Sequence, residues 1–168
     1  MDRLTEVRGR LDGNFWVDEW GPSSGRFSAK ATAGMIVLTE EAHREICRSK
    51  LIRVTAREDS LFTLFNVTIG NRFHWERTED QTFQGSLILQ VRDDGTITAI
   101  NEISLEDYLI SVISSEMSSA APMEFLKAHA ILSRSWLLAA LDRKKKLKDA
   151  PQLAARLMEN EKEVMRWY

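Results

Sequence analysis

Cysteine, glycine and proline are all scarce in this sequence. Its 168 residues include 1 Cys, 8 Gly and 3 Pro. A single cysteine cannot form an intramolecular disulfide, and the low glycine and proline contents exclude a collagen-like repeat. A composition of 43% apolar and 29% charged residues argues against disorder, and the length allows a buried core. The net charge of −2 gives no reason to expect nucleic acid as a partner.

Long apolar runs are also missing. Residues 1–6 contain no apolar h-region, and no apolar run approaches about 18 residues. We therefore expect neither a signal peptide nor a membrane span in the chain as given, although a trimmed piece of an exported protein would give the same pattern. An amphipathic segment begins near Pro151. It ends at residues 166–168 with two aromatics and no helix-stop signal, which predicts a truncated domain.

Strand signals dominate the first part of the chain. Short runs rich in β-branched and aromatic residues predict strands at 35–38, 51–56 and 61–69. The run Gly-Pro-Ser-Ser-Gly at 21–25 predicts a loop. A threonine followed by acidic residues at 39–42 could begin a short helix. We therefore expect residues 1–80 to form a strand-rich N-terminal region.

The single cysteine, Cys47, follows His43 by four residues. If this stretch is helical, the two side chains share one face. Two ligands without a third or fourth make a poor zinc site. We therefore expect structural burial rather than metal binding, and no metal or cofactor in this chain.

A β-hairpin is predicted next. Residues 86–91 alternate between polar and apolar side chains, except at Ile88, and residues 96–100 return as the second strand. Between them, Asp-Asp-Gly at 93–95 supplies the residues that a tight turn with positive φ requires.

The hydrophobic period becomes helical from residue 104. Ser104 is a suitable N-cap, and apolar residues then recur at helical spacing. The small, polar run at 114–121 predicts a connection, and Pro122 suits the first turn of a second helix. That helix extends to the basic run at 143–146, which is more often a solvated helix end than a binding patch. The predicted fold class is α+β: a strand-rich N-terminal half, then a β-hairpin and a helical segment.

Three ionisable side chains stand out in the helical segment: Glu116, Lys127 and Arg134. Glu116 lies in the predicted connection, and the two cations lie about two helical turns apart on the second helix. If the connection folds back over that helix, both cations could converge on the carboxylate. Partial desolvation would then keep Glu116 protonated as a general acid for cleaving a glycan, while the cations hold substrate groups. A surface salt bridge is the commoner explanation for such a set.

Five short motifs follow one another at fixed spacing in the second half of the chain. They are Phe-Gln-Gly-Ser-Leu at 83–87, Ile-Asn-Glu-Ile-Ser-Leu-Glu-Asp-Tyr-Leu at 100–109, Ser-Glu-Met at 115–117, Leu-Lys-Ala-His-Ala at 126–130 and Ser-Arg-Ser-Trp at 133–136. Their order and spacing closely resemble the SpoIID/LytB family of sporulation and amidase-enhancer proteins. The resemblance extends over about residues 83–141.

This resemblance implies that residues 83–168 form a SpoIID/LytB-like region, incomplete at its C-terminus. In the sporulation branch it implies a lytic transglycosylase that cleaves peptidoglycan glycan strands in the periplasm or cell envelope. One glutamate acts there first as acid and then as base. Carried over by position, Glu116 is the catalytic residue, and Ser115, Lys127 and Arg134 contact the glycan.

The chain departs from the family pattern beside this site. Ser114 stands where the family has proline, which would loosen the turn before Glu116. His129 stands where the family has glutamine, either as a polar substitution on a helix face or with a catalytic role. The family also usually continues into a segment with Cys and His residues, which binds zinc in some members.

Two other functions stay open at this point. The first is a non-catalytic module that binds glycan or activates a cell-wall amidase, as the amidase-enhancer branch implies. The second is an α+β scaffold whose helices are simply core.

Overall fold

The computed structural model describes residues 4–41, 44–70, 74, 76–118 and 120–149. Eight strands precede two helices in the described chain, so the predicted α+β class is confirmed. The elements are β1 Glu6–Val17, β2 Gly21–Thr32, β3 Met35–Glu40, β4 Glu45–Ser49, β5 Leu51–Ile69, β6 Arg77–Gln84, β7 Ser86–Val91, β8 Ile97–Glu102, α1 Leu105–Glu116 and α2 Met123–Asp149.

The eight strands form one antiparallel sheet. Its order is β4-β3-β2-β1-β5-β7-β8, with β6 paired to β5 off this path. The 19-residue strand β5 pairs with β1 along one edge, and with β7 and then β6 along the other. The sheet curls far enough that Leu4 forms a bridge with Ile97, whose N–H donates to the Leu4 carbonyl at 2.7 Å.

One apolar cluster forms the core of the sheet. It draws on every strand except β6, because alternate side chains of a strand point to the same face. β6 contributes the partly buried Phe83, which stacks on the fully buried Phe62 with ring centroids 5.3 Å apart. The buried members are Val7, Leu11, Phe15, Val17, Phe27, Ala29, Ile36, Leu38, Cys47, Ile52, Val54, Phe62, Leu64, Leu87, Leu89 and Ile97.

The predicted strands at 35–38, 51–56 and 61–69 are confirmed, the last two as parts of the single strand β5. The predicted hairpin is also confirmed, as β7 paired with β8. Four strands that the sequence patterns did not predict, β1, β2, β4 and β6, complete the sheet.

The loop predicted at 21–25 is wrong. Gly21 and Gly25 pair with Val17 and Leu11 of β1, so the run forms the first part of β2. Backbone hydrogen bonds to a neighbouring strand here override the weak strand propensity of glycine, proline and serine.

The helix predicted at 39–42 is wrong as well. Residues 39 and 40 complete β3, and Cys47 lies in β4 opposite Leu38. The expected burial of Cys47 is confirmed, since its residue is 3% exposed. His43 lies outside the described residues, as does the amphipathic segment predicted from Pro151.

The chain divides into two compact units, Met1–Ser104 and Leu105–Tyr168. The first contains the sheet, including the β7–β8 hairpin, and the second contains α1 and α2. None of the helices in the described part of the chain is long and apolar enough to cross a membrane.

Candidate functional site

Glu116 is the last residue of α1, not part of the connection that the surrounding small residues predicted. The hydroxyls of Ser114 and Ser115 donate to carbonyl oxygens one turn earlier, at 3.0 and 2.9 Å. The Met117 N–H still donates to the Ile113 carbonyl at 3.0 Å. These hydroxyls bond within the helix, and the serine run continues α1 instead of ending it. Ser114 also keeps a backbone N–H that the family's proline lacks.

The connection after α1 is a short turn that ends at Pro122. The Ala120 N–H donates to the Ser118 hydroxyl at 3.2 Å, and the Ala121 N–H to the Ser118 carbonyl at 3.0 Å. The Pro122 carbonyl then accepts the first hydrogen bonds of α2. Pro122 therefore stands at the start of the second helix, as its fixed φ predicted.

His129 of α2 lies against Glu116. Its Nε2 is 3.1 Å from Glu116 Oε2, and the two side chains are 13% and 56% exposed. Nε2 is enclosed, and within the described residues no group meets it with the alignment of a hydrogen bond. We expected Glu116 to be partly shielded from solvent. In the structure the His129 imidazole is the shielded group, and the Glu116 carboxylate remains accessible to solvent.

Lys127 and Arg134 are paired with other carboxylates. Lys127 Nζ lies 2.8 Å from Glu124 Oε1, one turn back on α2, and Arg134 Nη1 lies 2.5 Å from Glu106 Oε1 on α1. We expected both cations to converge on Glu116, but each forms an ion pair with a different glutamate. Both pairs are exposed, which matches the surface salt bridge weighed as the commoner explanation.

A groove between α1 and α2 contains the Glu116 side chain. The two aromatic residues in its lining, Tyr108 and Trp136, are 41% and 71% exposed. Aromatic faces of this kind pack against the apolar faces of ligands. The full lining is Tyr108, Leu109, Val112, Glu116, Leu132, Ser133, Trp136 and Leu137.

The contact between His129 and Glu116 is the feature of this site that sequence reasoning did not find. A signal was present, because His129 lies three residues after Leu126 and four before Ser133, on the inward stripe of α2. The ring is 13% exposed, so it lies on the partly buried side of α2. Its interpretations as a polar substitution on a helix face and as a catalytic group both remain predictions.

The described residues include no group of three or more His, Cys, Asp or Glu side chains that could hold a metal ion. Cys47 lies in the sheet, where burial raises the pKa of its thiol to about 11, with smaller contributions from the carboxylates of Asp18 and Glu45. The thiol is therefore suited to core packing and not to nucleophilic chemistry.

Comparison with known proteins gives one family and a partial relative. Residues 93–164 match the SpoIID family, described as stage II sporulation protein. An uncharacterized protein of Brachyspira hyodysenteriae (strain ATCC 49526 / WA1) is 39% identical over 56 residues, which are 33% of this chain and 15% of that protein. No solved structure matches the chain.

The matched range contains the whole of the site described above, from Tyr108 through Glu116 and His129 to Leu137. It also contains four of the five ordered motifs, those between residues 100 and 136. The match over residues 93–164 supports the assignment of this part of the chain to the SpoIID family, described as stage II sporulation protein.

Proposed function

We propose that this chain carries the acid/base glutamate of a lytic transglycosylase that cleaves the glycan strands of bacterial peptidoglycan. The match of residues 93–164 to the SpoIID family relates the chain to sporulation and the cell wall. The observation that carries the finer proposal is the position of Glu116. It is a half-exposed carboxylate in a groove with two exposed aromatic rings.

The exposure of Glu116 suits a bulky substrate. A polymer chain can reach a carboxylate at the end of a helix, whereas one in a closed cavity is inaccessible to it. Tyr108 and Trp136 offer faces against which the apolar side of a sugar ring can pack. These features favour an extended glycan over a small metabolite.

The proposed chemistry needs one carboxylic acid. Protonated Glu116 gives its proton to the glycosidic oxygen as the bond from C1 of muramic acid to that oxygen breaks. The resulting carboxylate then accepts the proton of the C6 hydroxyl, whose oxygen bonds to C1 and closes a 1,6-anhydro ring. Glu116 ends protonated again, and no water is consumed. An ordinary glycosidase, by contrast, uses two carboxyl groups.

Ser115, Lys127 and Arg134 are proposed to contact the glycan beside Glu116. The Ser115 hydroxyl donates within α1, but its oxygen can still accept a hydrogen bond from a sugar hydroxyl. The Lys127 and Arg134 side chains are 61% and 48% exposed, so their present ion pairs with Glu124 and Glu106 can exchange for substrate groups at small cost. We place the reaction outside the cytoplasm, in the cell envelope, where peptidoglycan lies.

The test is product analysis on purified glycan strands, both unmodified and stripped of stem peptides. We expect the full chain to release anhydro-ended fragments, and Glu116→Gln to reduce their rate about 10²- to 10⁴-fold because proton transfer is lost. Asp142→Asn, which changes an exposed carboxylate elsewhere on α2, is the matched control and should keep the wild-type rate. Anhydro products at an undiminished rate from Glu116→Gln would refute the proposed role.

A second candidate is a module that binds glycan without cleaving it and acts with a cell-wall amidase. The observation that favours it is that Lys127 pairs with Glu124 and Arg134 pairs with Glu106, so neither cation pairs with Glu116 in the described residues. In a co-sedimentation assay with glycan, this function predicts retention that survives Glu116→Ala and falls with Arg134→Ala, without any cleavage product.

A further inference from the structure

The imidazole of His129 on α2 is a mostly buried polar group that lies beside the Glu116 side chain of α1. Its Nε2 is enclosed and lies 3.1 Å from Glu116 Oε2. A buried polar atom without a hydrogen bond costs about 1–3 kcal/mol. A small rotation of the exposed Glu116 side chain would align the carboxylate with Nε2, so this cost favours a direct hydrogen bond between them.

Glu116 in turn gains from a donor at this place. It is the last residue of α1, where the helix dipole presents its negative end to the carboxylate. A side chain that is 56% exposed also has several rotamers available to it. A ring N–H held on the partly buried side of α2 would offset the unfavourable interaction of the carboxylate with the helix dipole. It would also restrict the side chain to fewer rotamers.

We propose that His129 is the positioning residue of Glu116: it donates Nε2–H to Oε2 and fixes the carboxylate at the groove, leaving the other oxygen to meet the substrate. The contact itself is independent of any reaction. Its consequence for catalysis rests on the proposed function above. A glutamine side chain at this position also ends in an N–H donor, so the residue found in the family pattern could hold the same oxygen.

The contact can be tested without activity by nitrogen-15 NMR of the full chain with labelled histidine. The sequence has 3 histidines, and the His129 signals are identified by their loss in His129→Gln. We expect Glu116→Gln to move the His129 imidazole resonances, because the carboxyl group beside Nε2 is replaced by an amide. The resonances of the other histidines should stay in place. Unmoved His129 resonances overturn the inference whatever the enzyme does.

The catalytic consequence is tested on soluble glycan strands with two substitutions at one position. His129→Leu keeps the apolar contacts but has no donor, and we expect kcat to fall about 10²-fold with little change in KM, as for a misplaced catalytic group. His129→Gln restores a donor and should recover most of kcat. His74→Gln, on an exposed residue of the sheet unit, is the control for the substitution itself.

The outcomes separate the two proposals. A wild-type chain that gives no anhydro product refutes the proposed function, and the NMR result then decides the contact alone. If His129→Leu and His129→Gln lower kcat equally, or if both mainly raise KM, the positioning role is wrong even where the wild type is active. Thermal unfolding of each variant identifies any loss of kcat that comes from misfolding. If a variant misfolds, the NMR comparison decides whether the contact exists, because it uses a chain that retains His129.

Discussion

Gly85 occupies a position where a single methyl group should be costly. It lies between β6 and β7, at the motif glycine of Phe-Gln-Gly-Ser-Leu, and has a φ of 95°. A Cβ at this residue would lie 2.5 Å from the backbone carbonyl oxygen of Glu102 and 3.3 Å from Asn101 Oδ1. The Gly85→Ala substitution therefore combines a left-handed backbone with a clash against the neighbouring strand β8.

The two costs can be estimated separately. An alanine with positive φ costs about 1–2 kcal/mol, from the approach of its Cβ to a carbonyl oxygen. Overpacking adds about 1–3 kcal/mol, since the contact is with backbone atoms that cannot rotate away. We therefore expect Gly85→Ala to lower the free energy of unfolding by about 2–5 kcal/mol, a large part of the 5–15 kcal/mol typical of a domain.

Urea unfolding followed by tryptophan fluorescence measures this change, and Gly95→Ala is its matched control. Gly95 has a φ of 76°, but its added Cβ meets nothing within 4 Å. The control should show the backbone term alone, about 1–2 kcal/mol. If Gly85→Ala is no more destabilising than Gly95→Ala, the steric contact with Glu102 does not limit this position and the reasoning is wrong.

Two further predictions concern Cys47 and Arg134. Because burial raises the pKa of the Cys47 thiol to about 11 from its ordinary 9.0, its contribution to stability should be present below the ordinary value and lost as pH rises through about 11. Thiol reagents at mildly alkaline pH should label Cys47 only after denaturation. Arg134→Ala removes an exposed pair with Glu106 and should lower the free energy of unfolding by at most about 1 kcal/mol, measured by urea unfolding.

Both predictions can fail clearly. Rapid labelling of the native chain would contradict the burial of Cys47 in β4. A loss well above 1 kcal/mol in Arg134→Ala would mean that the pair with Glu106 is structural, and reduced glycan retention by this variant could then not be assigned to the groove.

The N-terminal half illustrates why some strands could not be predicted. In β1, Val7 and Leu11 share the buried face with Phe15 and Val17, but a register shift between Leu11 and Phe15 interrupts the alternation. β2 begins with residues typical of turns. A strand of this kind is stabilised by hydrogen bonds to its neighbours, which a local pattern does not contain.

The site divides in the same way. The sequence located Glu116, Ser115, Lys127 and Arg134 through motifs of fixed spacing, and the roles assigned to them remain predictions. The sequence patterns predicted that Glu116 lies in a loop, because they contain no information on the hydrogen bonds that the preceding serine hydroxyls make within α1.

The sequence by itself determined the α+β class, the β7–β8 hairpin, the two helices and the resemblance of residues 83–141 to the SpoIID/LytB family. Each of these depends on local periodicity, turn chemistry or an ordered motif. The tertiary structure decided which polar side chains meet: Arg134 pairs with Glu106, Lys127 with Glu124, and Glu116 with His129. The Arg134 and Glu116 contacts join different helices, so they depend on how α1 packs against α2 and not on the spacing of residues along either one.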